Sequence, residues 1–159
     1  MEDYDDPIEL LSLGKQLRFT SELDESRRYL IEAREAFSSI GIEVRVIECM
    51  ENLAFISLQK GDIEEAERIF GECHDLSDEI QSDSCRSASL MGLAICSAQR
   101  REYSAAVDIC RRSLKLARRT NDKLQESRVL NVLAVIEASK GDFTESEKIL
   151  KESLDMRKE

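Results

Sequence analysis

The chain holds one proline, no tryptophan, 5% aromatic residues and six glycines in 159 residues. So little proline and glycine removes the punctuation that an all-β domain or a disordered linker needs, and leaves helix formers such as Glu, Lys, Arg, Leu and Ala to dominate. There is a single histidine, His74, beside Cys73. Adjacent helical residues point about 100° apart, so the two make no nucleophile–base pair. The glycines form neither a G-x-G-x-x-G nor a Walker loop, so no phosphate cradle is expected. The five cysteines, Cys49, Cys73, Cys85, Cys96 and Cys110, contain no C-x-x-C pair. An odd number without metal spacing suits reduced thiols in a cytoplasmic setting, with no disulfide, metal or cofactor. No apolar run approaches the roughly 20 residues of a membrane span, and no secretory leader is recognisable. Basic residues are outnumbered 33 to 23, for a net charge of −10. An acidic surface disfavours non-specific binding to nucleic acid or anionic membranes.

What the chain does have is a repeat. In Asn52–Ala66, Leu53, Ile56 and Leu58 give an apolar helical face, Lys60 and Gly61 stop that helix, and Asp62 starts the next with Glu65 in capping-box position. The same turn returns every 40 residues: Ser21-Glu22-Leu23, Gly61-Asp62-Ile63, Arg101-Glu102-Tyr103 and Gly141-Asp142-Phe143. Six columns keep step with it. They are Leu10, Met50, Leu90 and Leu130; Leu13, Leu53, Leu93 and Leu133; Gly14, Ala54, Ala94 and Ala134; Ser26, Ala66, Ala106 and Ser146; Leu30, Phe70, Cys110 and Leu150; and Ala33, Cys73, Ser113 and Ser153. Small residues let two helix backbones approach, and large ones fill the space beside them. One helix pair cannot bury this face alone, but stacked pairs can. The expected helices run from Pro7 to about Phe19, Glu22–Ser39, Glu43–Gln59, Asp62–Glu79, Cys85–Gln99, Tyr103–Arg119, Lys123–Ser139 and Phe143–Arg157. Gln81-Ser82-Asp83-Ser84 reads as a polar turn, and residues 1–6 as an acidic lead-in expected to fray. No connection exceeds about five residues, which makes neighbouring helices antiparallel.

The order large, Leu, small, then small twelve residues on, then large and small again, resembles the tetratricopeptide repeat in a long-period form. The resemblance covers essentially the whole chain. HEAT-type repeats have a similar period, but the small-residue columns twelve apart favour the tetratricopeptide form. The usual Trp is replaced by Leu or Met, the usual first-helix Tyr by Leu17, Ser57, Ser97 and Glu137, and no Pro closes a unit. The resemblance implies an all-α, right-handed α-solenoid of four antiparallel helix pairs, a single array with units at about 7–40, 43–80, 83–120 and 123–157.

It also implies a non-catalytic protein-interaction module whose first helices line a concave groove for a partner's peptide or helix. Carried onto this sequence, the groove holds Lys15, Phe55, Ile95 and Val135 in one column. Asn52, Met91 and Asn131 lie beside them, Gln59 and Gln99 at one edge and Arg128 at the other. Phe55, Met91 and Ile95 offer apolar contact, while Asn52, Gln59, Gln99 and Asn131 suit the peptide backbone. Part of this face is also readable as packing between helices. Co-chaperones of the family clamp heat-shock-protein C-terminal carboxylates with Lys, Asn and Arg; the matching positions are Leu11, Lys15, Asn52, Ala88 and Gly92, and only Asn52 fits, so that ligand is not expected. Family members that dephosphorylate response regulators carry an extra N-terminal bundle, which the six lead-in residues do not supply. A regulatory segment of a larger transcription regulator or enzyme complex, or a self-associating structural protein, are the alternatives.

Two charge runs stand out, a net −8 over residues 62–83 and a net +5 over 100–123. The simple account pairs them across the outer surface; the other docks an acidic partner or nucleic acid on the basic run. Leu150, Leu154 and Met156 leave the last helix without a polar cap, which points either to a longer protein or to self-association through that end.

Overall fold

The computed structural model describes residues 6–158, and among these there are eight helices and no strand. They are α1 (Pro7–Phe19), α2 (Leu23–Ser39), α3 (Glu43–Gln59), α4 (Ile63–Glu79), α5 (Asp83–Gln99), α6 (Tyr103–Arg119), α7 (Lys123–Lys140) and α8 (Phe143–Met156). The chain divides into two compact units, Met1–Leu76 and Ser77–Glu159. The first holds α1, α2, α3 and most of α4, and the second the remainder. Apart from Asp6, the lead-in lies outside the described residues.

The turns follow a stricter rule than the sequence repeat. Ser21, Gly41, Gly61, Gln81, Arg101, Asn121 and Gly141 all take the left-handed conformation, with φ between 53° and 101°, and each lies twenty residues from the last. At Gly61 two bonds close the helix: Gly61 N–H donates to Leu58 O at 3.0 Å and Asp62 N–H to Ser57 O at 2.9 Å. This pairing satisfies two of the carbonyls that a helix end leaves open. The bond across five residues recurs at every turn, from Glu22 to Leu17 through to Asp142 to Glu137. The turns within a pair and between pairs therefore share one geometry, and the 40-residue repeat is built on a 20-residue structural step.

The residue after each left-handed position starts the next helix. Asp62 caps α4 through the Glu65 N–H at 3.0 Å, Asp122 caps α7 through Gln125 and Asp142 caps α8 through Glu145. The expected capping box at Asp62 closes on one side only. Its N–H is committed to Ser57, and the Glu65 carboxylate turns instead to Arg68, 2.7 Å away. α5 also begins two residues before the expected Cys85. Ser82 accepts from the Cys85 N–H at 3.2 Å, and Asp83 occupies the first turn, where a carboxylate suits the positive end of the helix. The polar stretch read as a turn is a helix start.

The six columns lie where the repeat requires. All are buried except Leu13 and Leu93, which are half-buried, and Leu150, which is exposed. In the first unit Leu10, Leu30, Ala33, Phe37, Cys49, Leu53 and Ile56 form one core. Where the small pair includes Ser, the hydroxyl bonds the facing backbone: Ser26 Oγ to Gly14 O at 2.6 Å and Ser146 Oγ to Ala134 O at 2.8 Å. A second buried seam joins the start of one helix to the end of the next. Ser87 and Ser113 hydroxyls meet at 3.1 Å, as do those of Ser127 and Ser153.

Three Gly→Ala changes separate the physical roles of glycine, read as urea midpoints. Gly61→Ala forces Cβ into a left-handed residue and is expected to lose about 1–2 kcal/mol. Gly14→Ala places Cβ 2.7 Å from Leu30 Cγ in the core, for a loss of about 1 kcal/mol or more. Gly71 lies within α4 with nothing near its missing Cβ, and Gly71→Ala is expected to gain about 0.5–1 kcal/mol.

Candidate functional site

In the first unit the candidate residues fall into two groups. Phe55 on α3 is partly exposed and meets Phe70 edge-on, with ring centroids 5.2 Å apart and planes at 77°. The Arg18 guanidinium stands 5.0 Å above the Phe55 ring and 4.5 Å above Phe19. Gln59 Nε2 donates to the Arg18 carbonyl at 3.3 Å, which ties the end of α1 to the end of α3. Arg18 was invisible to the repeat, because the residues 40, 80 and 120 positions on are Leu58, Ala98 and Ala138.

Lys15 belongs to the second group. Its ammonium lies 2.9 Å from one Glu48 oxygen, and Arg45 lies 2.6 Å from the other. Together with Ile8, Leu11 and Phe19 they border a cavity of about 340 Å³, of which Phe55 is not part. Asn52 is 7% exposed, and its Nδ2 donates to the Glu48 carbonyl of its own helix at 2.9 Å. Its amide is thus turned along its own helix.

The second unit brings four candidates to one place. Ile95 and Gln99 from α5 and Asn131 and Val135 from α7 border a cavity of about 430 Å³, joined by Val132 and Ile136. Val135 is 65% exposed, a large share for an apolar side chain. Asn131 Oδ1 accepts from Ser153 Oγ at 3.0 Å, which sets the orientation of its amide. Met91 is buried, with Gln125 Nε2 4.0 Å from its sulfur, and Gln125 in turn donates to Ser87 Oγ. Arg128 is exposed and does not border the cavity.

At least four of the eight cations of the basic run meet carboxylates within their own unit. Arg118 meets Glu126 at 2.8 Å and Glu152 at 2.6 Å, Arg111 lies 3.7 Å from Glu137, and Lys123 3.4 Å from Glu126. Arg119 Nε donates to Asp83 at 2.8 Å. Apart from Asp83 these carboxylates come from α7 and α8. Glu126 and Glu137 are buried and so are held by these cations rather than by water.

All five cysteines are free and buried. Burial pushes the Cys49 and Cys110 thiols up to about 12, so neither is a thiolate at neutral pH. Among the described residues no group of three His, Cys, Asp or Glu side chains could hold a metal ion, and no helix is long and apolar enough to cross a membrane.

Two tetratricopeptide repeat models match the sequence, one over residues 46–77 and one over residues 85–159, and together they span well over half of it. The chain belongs to the tetratricopeptide repeat family. The comparison with curated proteins found no match for the tetratricopeptide chain. Its fold is that of solved repeat proteins. Apo RapI is 17% identical with a TM-score of 0.77, over 98% of this chain and 57% of that one. A Rap protein complexed with competence and sporulation factor is 13% identical with a TM-score of 0.82, over 96% and 44%. A putative kinesin light chain of Podosopora anserina with nearly identical TPR-like repeats is 14% identical with a TM-score of 0.69, over 96% and 77%. The tetratricopeptide chain thus spans about half the length of the two Rap proteins.

The ionic clusters give these repeats an acid sensitivity. Burial alone would raise the Glu48 carboxyl, but hydrogen bonds from Lys15 and Arg45 overcome it and hold the group below the ordinary 4.5. A hydrogen bond from Arg68 lowers Glu65, and bonds from Arg86 and Arg119 lower Asp83. A carboxyl depressed on folding stabilises fully above its unfolded value and loses that contribution as pH falls through the folded one. The urea midpoint is therefore expected to hold between pH 7 and 5 and to fall below about pH 4.5. Glu48→Gln lowers the neutral midpoint and flattens the acid limb; equal acid limbs in the variant and wild type would remove Glu48 from this account.

Proposed function

We propose that the chain is a non-catalytic, cytoplasmic interaction module that takes a peptide or helix of a partner protein on the faces formed by its first helices, without a cofactor. The observation that carries this reading is the cavity of about 430 Å³ between α5 and α7, where Ile95 and Val135 supply apolar surface and Gln99 and Asn131 supply amides. Apolar side chains of a partner can enter such a cavity while amides meet its backbone, a combination that tolerates many sequences. In the first unit Phe55, braced by Arg18 and Phe70, offers an aromatic platform, with Gln59 bonded to the Arg18 carbonyl beside it, while Lys15 and Glu48 present a separate polar face. Asn52 and Met91, both buried, serve by positioning these faces; Arg128, exposed outside the cavity border, meets only a partner that extends past it. The complex of a structurally similar Rap protein with competence and sporulation factor supports a protein or peptide as the partner class.

Val135→Glu, at an exposed site, and Ile95→Glu are compared with wild type in affinity capture from native lysate, after circular dichroism has shown equal helix content. Recovered partners are then titrated directly. Loss of about tenfold or more in affinity with either change supports the cavity as the site. Unchanged affinity in both folded variants removes it.

A second reading rests on α8. Leu150 is 42% and Leu154 55% exposed, whereas Leu30, Phe70 and Cys110, in the Leu150 column, are fully buried. In the second unit the next helix covers that position: Cys110 Sγ lies 3.6 Å from Val129 O. We propose that a second copy covers the open stripe. Sedimentation should show mass rising with concentration for wild type and a constant monomer for Leu150→Glu with Leu154→Glu; a concentration-independent wild-type mass rejects it.

A further inference from the structure

A further cavity of the first unit lies on neither first-helix face. It is a cleft of about 610 Å³ between α2 and α4, with α3 as its base. Three helical stripes line it. Arg27, Ile31 and Arg34 form the α2 wall at i, i+4 and i+7; Glu65, Arg68 and Glu72 form the α4 wall; Met50, Leu53 and Ile56 of α3, with Ile69, make the floor. The floor residues named are buried to nine-tenths or more, so the bottom of the cleft is apolar and the rim charged.

The rim charges are not equally satisfied. Arg68 is held between Glu65 at 2.7 Å and Glu72 at 2.5 Å, and Lys60 by Asp24 at 2.5 Å. The Asp62 carboxylate is spent on capping α4. Arg27 and Arg34 have no ion-pair partner among the described residues, although Arg27 acts through space on Asp24 and Glu65. They stand seven residues apart on one face of α2, about 10 Å along the axis. Arg34 is half-buried against the apolar floor. An occupant that covered it without supplying an anion would desolvate a cation unmatched, whereas a carboxylate there can form a two-bond pair. Glu65 and Glu72 on the facing wall repel an occupant acidic on all sides.

We propose that this cleft binds an amphipathic helix of a partner protein that carries carboxylates seven residues apart along one edge and an apolar stripe beside them. The carboxylates pair with Arg27 and Arg34, and the stripe packs on the partly exposed Ile31 between them, above the buried floor. This site is separate from the face bordered by Ile95 and Val135.

Isoleucine methyls report the two sites in one spectrum, since Ile31, Ile56 and Ile69 border the cleft and Ile95 and Ile136 the other cavity. The probes are lactam-stapled helices with Leu at helical spacing between two edge positions seven apart, filled with Glu, Gln or Lys. The full chain, labelled at isoleucine methyls, is titrated with each. The Glu helix is expected to shift Ile31, Ile56 and Ile69 and to bind about tenfold or more tightly than the Gln helix, with the Lys helix weakest. Arg27→Gln with Arg34→Gln, both at the rim, should remove the preference for Glu over Gln and leave helix content unchanged. Equal affinity for Glu and Gln helices, shifts confined to Ile95 and Ile136, or no shift at millimolar peptide would each overturn the proposal. A failure here with intact partner capture through Ile95 and Val135 leaves the reading of that face standing.

Discussion

Everything in each unit depends on how closely two helix backbones approach within a pair. Gly14 faces Leu30 with no room for a Cβ, and Ser26 reaches the Gly14 carbonyl at 2.6 Å. At such a separation only a small side chain fits, and the large residues on either side are forced together into the core. The paired columns of Gly or Ala with Ser or Ala twelve residues later are the chemical form of this constraint. Close approach alone does not complete the burial: Ala134 and Ser146 keep it, yet Leu150 stays 42% exposed, whereas Cys110, met by α7, is fully buried.

The turn supplies the second constraint. A left-handed residue every twenty positions reverses the chain, satisfies the end of one helix and delivers the cap of the next. Only Gly41, Gly61 and Gly141 meet it without a Cβ penalty; Ser21, Gln81, Arg101 and Asn121 carry strain in the same conformation. The neighbouring helices hold these residues there, because the bond to the fifth residue back and the packing of the next helix both depend on the reversal.

With the backbone set, charge decides what each surface can meet. Arg111, Arg118 and Arg119 are bound to carboxylates of their own unit, so these members of the basic run already have partners in the fold. Arg27 and Arg34 attract no notice in the sequence, sitting among Asp24, Glu25, Glu32 and Glu35, yet they face a cleft without an ion-pair partner. Linear charge counts do not register which side of a helix a residue occupies.

The sequence by itself determined the helices, their order and the columns that are buried. Each of these follows from local chemistry: spacing of apolar residues, caps, and glycine at a reversal. It missed the start of α5, where Ser82 and Asp83 read equally well as turn or as cap and first turn. It placed Ile95, Gln99, Asn131 and Val135 on one face, and the fold gathers them around one cavity. Only the tertiary structure decided that Lys15 is engaged by Glu48, that Asn52 and Met91 are buried, and that Arg18 covers Phe55. Those outcomes depend on which side chains of neighbouring helices meet, and a 40-residue period fixes the position of a column without fixing the partner that each member finds across the helix boundary.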